Sequence, residues 1–268
     1  MTWTSHTVPR EGMRLHCRDW GGDGPAVLLL HGLAGHCGEW DAVAARLSRR
    51  HRVVAVDLRG HGHSERRPKD VSRAAHVADV LAVADAFGLD RPVLVGQSLG
   101  GHTALLATAA RPERIAGLVL VEAGPGAPDP GLPAMIGGWL DSWPLPFPDR
   151  PTAVAFLGGG AVGEGWAGGL EERDGGWWPQ FDRDVMVATI SAHTRSSWEE
   201  WERITCPTLL VLGQHGIIPA DEITEMLTRR PHTTATSLPG TGHDVHLEQP
   251  DGLHRLLTDF LDAAHQQR

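Results

Sequence analysis

The chain has 268 residues, of which 41% are hydrophobic, and this content suffices for one sizeable core. Its formal charge of -9 at pH 7 argues against nucleic acid or an anionic membrane as a partner, because both would repel the protein at long range. No apolar stretch is long enough to cross a bilayer.

Cysteine usage indicates a reducing compartment. The chain has three cysteines, Cys17, Cys37 and Cys206, and an odd number at unrelated spacings suits free thiols better than a disulfide framework. We therefore expect a cytoplasmic protein that acts on a small-molecule substrate, with no nucleic-acid or membrane partner. The sequence leaves the oligomeric state open.

Short β-rich runs alternate with amphipathic stretches along the chain. They predict strands near residues 27 to 30, 53 to 56, 93 to 95, 118 to 121, 209 to 212 and 234 to 238. They predict helices near residues 40 to 49, 73 to 87, 102 to 110, 221 to 229 and 252 to 263. Such alternation indicates an α/β fold with a mostly parallel sheet covered on both faces, and with functional loops at the carboxyl ends of the strands.

The segment Gly96-Gln97-Ser98-Leu99-Gly100 follows one of these predicted strands directly. Its pattern is typical of a nucleophile elbow, a tight strand-to-helix turn that exposes a serine hydroxyl above the sheet. Glycine is needed on both sides because the turn brings the helix backbone close to the strand. Ser98 is therefore the candidate nucleophile.

Three further motifs follow predicted strands. They are His31-Gly32-Leu33, the loop from Asp57 to Ser64, and Gly240-Thr241-Gly242-His243. In this order, the four motifs resemble the α/β-hydrolase superfamily, and within it the small capped enzymes: esterases, lactonases and carbon–carbon bond hydrolases. The resemblance covers nearly the whole chain. It implies a doubly wound, mostly parallel sheet with a helical cap inserted after the sixth strand.

The resemblance also implies a division of chemical roles. Ser98 would attack a carbonyl carbon, and His243 would accept its proton, because an unassisted hydroxyl is a poor nucleophile near neutral pH. The backbone N–H groups of Leu33 and Leu99 would form the oxyanion hole. In the loop from Asp57 to Ser64, the side chains of Asp57, Arg59 and Ser64 would brace the floor of the site.

One segment departs from the family pattern. Where most relatives carry the triad aspartate, ahead of an apolar pair and a proline, this chain has Gly216. A histidine base still needs a carboxylate to hold its tautomer. Glu122 ends the strand beside the elbow strand, a position from which some superfamily members take their acid, and we predict it as the third catalytic residue. The competing carboxylates are Asp221, in a predicted helix start, and Asp244, beside the base.

The segment 124–201 breaks the strand–helix alternation and holds seven of the ten tryptophans. We interpret it as the cap, between core segments 1–123 and 202–268. Its adjacent Trp177 and Trp178, together with His36, are the predicted substrate-binding residues. Within the cap, the glycine-rich run 157–165 is expected to form a mobile loop.

These observations predict a serine hydrolase that cleaves an ester, lactone or thioester of a mostly apolar substrate through an acyl-enzyme. The alternatives are a carbon–carbon bond hydrolase, or a member with non-hydrolytic chemistry: acyl transfer, small-ligand binding, or a biosynthetic lyase or cyclase. No cofactor is implied. The pairs His61–His63 and His243–His246 have metal-ligand spacing, but both lie within hydrolase loops, so no metal site is predicted.

Overall fold

The computed structural model of the chain describes residues 2–10 and 12–266, so the predicted outer boundaries at residues 1 and 268 lie outside the described residues. In chain order the strands are β1 (Thr4–Arg10), β2 (Met13–Gly21), β3 (Ala26–Leu30), β4 (Arg52–Val56), β5 (Val93–Gln97), β6 (Gly117–Val121), β7 (Leu170–Arg173), β8 (Gly176–Pro179), β9 (Thr208–Gly213) and β10 (Thr234–Leu238). The α-helices are α1 (Asp41–Leu47), α2 (Arg73–Ala86), α3 (Leu99–Ala110), α4 (Leu132–Asp141), α5 (Arg150–Phe156), α6 (Gly160–Ala167), α7 (Arg183–Ser191), α8 (Trp198–Arg203), α9 (Ala220–Arg229), α10 (Val245–Glu248) and α11 (Pro250–Gln266). Every strand and helix that the sequence predicted is present within a few residues of its expected bounds.

Eight of the described strands form one sheet in the order β1-β2-β4-β3-β5-β6-β9-β10. In this sheet the neighbouring strands β4, β3, β5, β6, β9 and β10 run parallel to one another. Strand β2 is antiparallel to β4, and β1 is antiparallel to β2. Strands β3, β5 and β6 are buried along their whole length because both faces of the sheet are covered. The predicted doubly wound sheet is confirmed.

Helices cover the sheet in two layers. On one face, α1 and α11 pack through residues such as Val43 and Leu257. On the other face, α2, α3, α8 and α9 pack through residues such as Val83, Leu105 and Trp201. The two apolar clusters take alternate residues of each central strand, as the pleat of a sheet requires.

The carboxyl ends of four adjacent strands lie at the same edge of the sheet. Leu30 of β3 pairs with Gly96 of β5, and Gln97 pairs with Val121 of β6, which in turn pairs with Val211 of β9. The residues that follow these strands therefore meet at this edge, which is where parallel sheets place their sites.

The hairpin of β1 and β2 was not predicted. All residues of β1 except Val8 and Arg10 are exposed, so the strand lacks the apolar run that marks a buried strand. Its pairing with β2, rather than its own composition, keeps it extended.

Residues 124–201, which we call the insert, contain α4 to α7, the β7–β8 hairpin and most of α8. They enclose an apolar cluster of their own, built around Trp143, Phe147 and Phe181. Leu33 of the core packs against this cluster. Trp201, at the end of the insert, packs in the main core instead of in this cluster. The cap boundaries at 124 and 201 stay a prediction.

The expectation that the glycine-rich run 157–165 is a mobile loop is wrong. Residues 160–165, six of its nine, form the start of α6. A Cβ on Gly163 would lie 2.2 Å from the Val154 carbonyl oxygen, and one on Gly165 would lie 2.5 Å from Leu247. The glycines here allow close packing of α6 against its neighbours.

The three cysteines are free thiols, and all are buried. Among the described residues, no helix combines the length and the apolar composition needed to span a membrane.

The packing of α6 predicts a contrast between two glycine substitutions. Gly163→Ala should destabilise the protein by about 1–3 kcal/mol, because the new methyl group has no room beside Val154. Gly138→Ala in α4 is the matched control: nothing lies within 4 Å of its Cβ position, so helix propensity should add up to about 1 kcal/mol. Urea unfolding measures both. Equal stabilities would contradict the close approach of α6.

Candidate active site

The segment around Ser98 forms a strained turn between β5 and α3. Ser98 has φ 50° and ψ -116°, and its N–H donates to the Val121 carbonyl at 3.0 Å. A Cβ on Gly96 would lie 2.3 Å from the Gly100 oxygen, and one on Gly100 would lie 2.4 Å from the Leu30 oxygen. No side chain fits at either glycine, as the elbow pattern requires.

The turn after β3 lies beside this serine. A Cβ on Gly32 would lie 2.2 Å from Gln97 Oε1 and 3.5 Å from the Ser98 Cβ. Leu33 follows Gly32, and Leu99 is the first residue of α3, where a backbone N–H has no intrahelical acceptor. Both predicted oxyanion-hole residues thus follow directly on residues of the turns at Ser98.

Two side chains that the sequence did not single out hold the His243 loop. Gln97 donates from Nε2 to the His243 carbonyl at 3.1 Å. Glu248 accepts from the Gly242 N–H at 2.9 Å and from the Asp244 N–H at 3.1 Å. These bonds fix the loop next to the elbow and leave the His243 side chain 31% exposed.

The carboxylate of Glu122 is buried beneath His243. Its Oε1 accepts from the Gly213 N–H and its Oε2 from the Ile217 N–H, both at 2.7 Å. The same Oε2 lies 3.6 Å from His243 Nδ1. Glu122 itself adopts φ 50°, a conformation that non-glycine residues rarely hold without support from their surroundings.

Gly216 provides the room for this carboxylate. A Cβ at residue 216 would lie 2.1 Å from Glu122 Oε1, so any other residue there would displace it. The competing acids lie elsewhere: Asp221 is exposed and accepts from the Glu222 N–H, and Asp244 accepts from Trp166 Nε1 at 3.2 Å. In the described part of the chain, Glu122 is the acid that forms an ion-pair contact with His243.

The loop that follows β4 is braced by Asp57. Its Oδ1 accepts from the Cys37 N–H at 2.6 Å, and its Oδ2 accepts from the His63 N–H at 3.0 Å. Ser64 Oγ donates to the Asp57 carbonyl at 2.6 Å. Burial alone would raise the pKa of Asp57, but the hydrogen bond from His16 and nearby positive charge hold it well below the usual range. These contacts match the bracing role that the resemblance implied.

Asp57 also completes a second chain of serine, histidine and carboxylate. His16 Nδ1 donates to Asp57 Oδ2 at 2.8 Å, and Ser5 Oγ lies 3.0 Å from His16 Nε2. His16, Cys37 and Asp57 offer potential metal-ligating atoms within 4.8 Å of one another, but hydrogen bonds already use His16 Nδ1 and both Asp57 oxygens. Ser5 lies within the extended strand β1, whereas Ser98 stands on a strained turn before a helix.

The predicted substrate-binding residues occupy different surroundings. His36 Nδ1 accepts from the Gly38 N–H at 3.2 Å and Nε2 donates to the Gly165 carbonyl at 2.9 Å, so this ring joins the core to the insert. Trp177 packs against the apolar cluster of the insert. Trp178 lies beside Arg173, with 5.5 Å between the guanidinium carbon and the ring centroid. That these residues bind substrate stays a prediction.

Comparison with known proteins places this geometry in a family. Residues 27–256 match the sequence profile of the alpha/beta hydrolase family. The chain belongs to this family. A 2-(acetamidomethylene)succinate hydrolase of Mesorhizobium japonicum is 25% identical over 250 residues, which cover 90% of each chain. An N-formylmaleamate deformylase of Pseudomonas putida is 28% identical over 263 residues, or 95% of each chain.

The fold of this alpha/beta hydrolase agrees with solved structures. A crystal structure of E-2-(acetamidomethylene)succinate hydrolase has a TM-score of 0.89 at 24% identity, covering 97% of this chain and 99% of that chain. The family and its hydrolase relatives identify the protein as an enzyme of the hydrolase class.

The hydrogen bonds of Glu122 predict a structural cost for its removal from the alpha/beta hydrolase. Glu122→Ala leaves the Gly213 and Ile217 N–H groups without an acceptor and should destabilise the protein by about 2–5 kcal/mol. Glu122→Gln keeps one acceptor oxygen and should cost less. Asp221→Ala, at an exposed acid, is the control and should stay within about 0.5 kcal/mol of the wild type. Similar unfolding free energies for all three variants would contradict the bonding of Glu122.

Proposed function

We propose that the enzyme is a serine hydrolase that cleaves a carboxylic ester, lactone or thioester through an acyl-enzyme. Ser98 is the nucleophile, His243 the base and Glu122 the acid. The observation that carries the proposal is the position of the Glu122 carboxylate, 3.6 Å from His243 Nδ1 in the space that Gly216 leaves free.

The proposed reaction begins with attack of Ser98 Oγ on the substrate carbonyl carbon while His243 Nε2 takes the hydroxyl proton. The backbone N–H groups of Leu33 and Leu99 stabilise the negative charge on the carbonyl oxygen. Collapse of this intermediate breaks the bond to the leaving group, which receives the proton from His243. A water molecule then attacks the acyl-enzyme by the same route and releases the acid.

Glu122 supports the base in this scheme without itself transferring a proton. A carboxylate facing Nδ1 keeps the proton of neutral His243 on that nitrogen, so Nε2 is free to accept from Ser98. It also stabilises the imidazolium that forms during attack. The separation of 3.6 Å exceeds a hydrogen bond, and contacts of this kind shorten in many enzymes when substrate binds.

The insert acts in this proposal as a cap that selects substrates. Its apolar cluster packs against Leu33, which borders the proposed oxyanion hole, so the insert bounds the space above Ser98. The His36–Gly165 hydrogen bond and the contact of Trp166 with Asp244 hold α6 of the insert to the core. An acyl group would then lie between the insert and the elbow.

Hydrolysis of an amide bond is a second candidate. Two relatives that match about nine-tenths or more of this chain are named for an acetamidomethylene compound and for the deformylation of N-formylmaleamate. The same Ser98 chemistry would serve, with an amine in place of the alcohol as leaving group. Parallel assays of ester and amide substrates that share one acyl group distinguish the two candidates.

A covalent probe tests the proposed nucleophile. A fluorophosphonate should phosphonylate Ser98, and peptide mass mapping should find the label there. Ser98→Ala should abolish labelling, whereas the exposed Ser142→Ala should label as the wild type does. Labelling at Ser5 of the second serine–histidine–carboxylate chain, or labelling that survives in Ser98→Ala, would contradict the proposal.

A further inference from the structure

Glu39 is a buried acid that the proposed mechanism does not use. It lies in a short 3₁₀ helix, Cys37–Trp40, which follows the turn after β3. Its Oε2 lies 3.2 Å from Nε2 of His246, which the mechanism does not use either. The two side chains are only 3% and 1% exposed. We call Glu39 and His246 the inter-loop pair.

Glu39 packs against the turn that carries Leu33. The Gly35 N–H donates to the Gly32 carbonyl at 3.2 Å and closes this turn. Within it, Ala34 adopts φ 61°, a conformation that non-glycine residues rarely hold without support from their surroundings. A Cβ on Gly35 would lie 2.7 Å from Glu39 Oε1 and 2.8 Å from Oε2, so the carboxyl group lies directly against the turn. The Leu33 N–H therefore belongs to a turn that Glu39 supports.

His246 belongs to the loop that carries the proposed base. It lies in α10, three residues after His243. The Glu248 N–H donates to the Asp244 carbonyl at 2.9 Å, so α10 continues the His243 loop without a break. The His246 ring packs on the buried ring of Trp40, with 4.9 Å between the centroids. The His243 loop is thus anchored to the same 3₁₀ helix that holds Glu39.

The inter-loop pair carries no net charge at neutral pH, which suits its buried position. Burial raises the pKa of Glu39 to about 8 and lowers that of His246 to about 4. At pH 7 the pair then holds one proton between Oε2 and Nε2, and a hydrogen bond joins the two atoms whichever of them carries it. Breaking such a bond is costly, because each buried partner would be left unsatisfied. The bond therefore resists separation of the two loops.

We propose that the inter-loop pair positions the turn of Leu33 relative to the loop of His243. The Leu33 N–H and the His243 ring must act on one substrate at the same time, and an error of about 1 Å in such placement costs about 10²-fold in rate. Glu39 and His246 are then positioning residues, which act through Leu33 and His243. This inference rests on the proposed function for the roles of these two residues.

Steady-state kinetics with p-nitrophenyl butyrate test the inference. Glu39→Leu removes the hydrogen bond and should lower kcat by roughly 10–100-fold while KM stays within about twofold, because only the transition state needs the exact placement. Glu39→Gln can still form one hydrogen bond with His246 Nε2 and should retain most of the wild-type kcat. A folded Glu39→Leu protein with wild-type kcat, or equal losses in the two variants, would overturn the inference.

Variants of the partner and of a distant site assign the effect to the inter-loop pair. His246→Phe keeps a ring against Trp40 but removes the same hydrogen bond, so its kcat should fall as in Glu39→Leu. The double variant Glu39→Leu/His246→Phe should lose no more than the larger single loss, because one bond is lost in all three. Thr208→Val is the control: it removes a buried hydroxyl that donates to the Cys206 carbonyl at the opposite edge of the sheet, and kcat should not change. Losses that add in the double variant would contradict the assignment.

Hydrogen exchange followed by mass spectrometry tests the link between the loops without turnover. Glu39→Leu should speed amide exchange in residues 32–36 and also in residues 243–248, because the bond that joins them is lost. A labelled Ser98 with faster exchange in residues 32–40 alone would refute the inference and leave the proposed function standing. Faster exchange in both segments without fluorophosphonate label on Ser98 would refute the proposed function alone. Thermal melting of each variant confirms that it is folded at the assay temperature.

Discussion

A single buried carboxylate joins the two halves of the core at the candidate site. Glu122 directly follows β6, and its two oxygens accept the N–H groups of Gly213, at the end of β9, and of Ile217 in the loop after it. Because these bonds use fixed backbone donors, they determine where the carboxylate lies as well as its charge. The His243 loop lies above it, so the position of the proposed base depends on this contact.

The same edge of the sheet brings together the other parts of the candidate site. Aligned strand ends place the His31–Leu33 turn, the Ser98 elbow and Glu122 side by side, and Gln97 links the elbow to the His243 loop. Hydrogen bonds of His36 with Gly165 and of Trp166 with Asp244 join the insert to the core beside these parts.

Much of the fold could be predicted from the sequence, because buried parallel strands are continuous apolar runs and the turns after them need glycine. The exposed strand β1 carries no such run, and the hairpin with β2 was missed. The glycines of α6 were interpreted as the sign of a mobile loop, although Gly163 and Gly165 provide room for close packing. Composition alone does not separate these two uses of glycine.

Only part of the candidate site could be predicted from the sequence. Motifs next to strand ends are local in sequence, so Ser98, His243 and the gap at Gly216 could be recognised. Glu122 followed from that gap, and its role as the acid stays a proposal. Gln97 and Glu248, which hold the His243 loop, were not singled out, because each is unremarkable in its own stretch of sequence. Their role depends on the backbone groups that the folded loop presents to them.

The most direct test of Glu122 as the acid that supports His243 moves the carboxylate from residue 122 to residue 216. The rate at which a fluorophosphonate labels Ser98 should fall by roughly 10²–10⁴-fold in Glu122→Ala, as for loss of a triad acid. Gly216→Asp alone should also be slow, because residue 216 has no room for a side chain beside Glu122. The double variant Glu122→Ala/Gly216→Asp should label at least tenfold faster than either single variant. Wild-type labelling in folded Glu122→Ala, or a double variant no faster than the single ones, would contradict the assignment of Glu122 as the acid that supports His243.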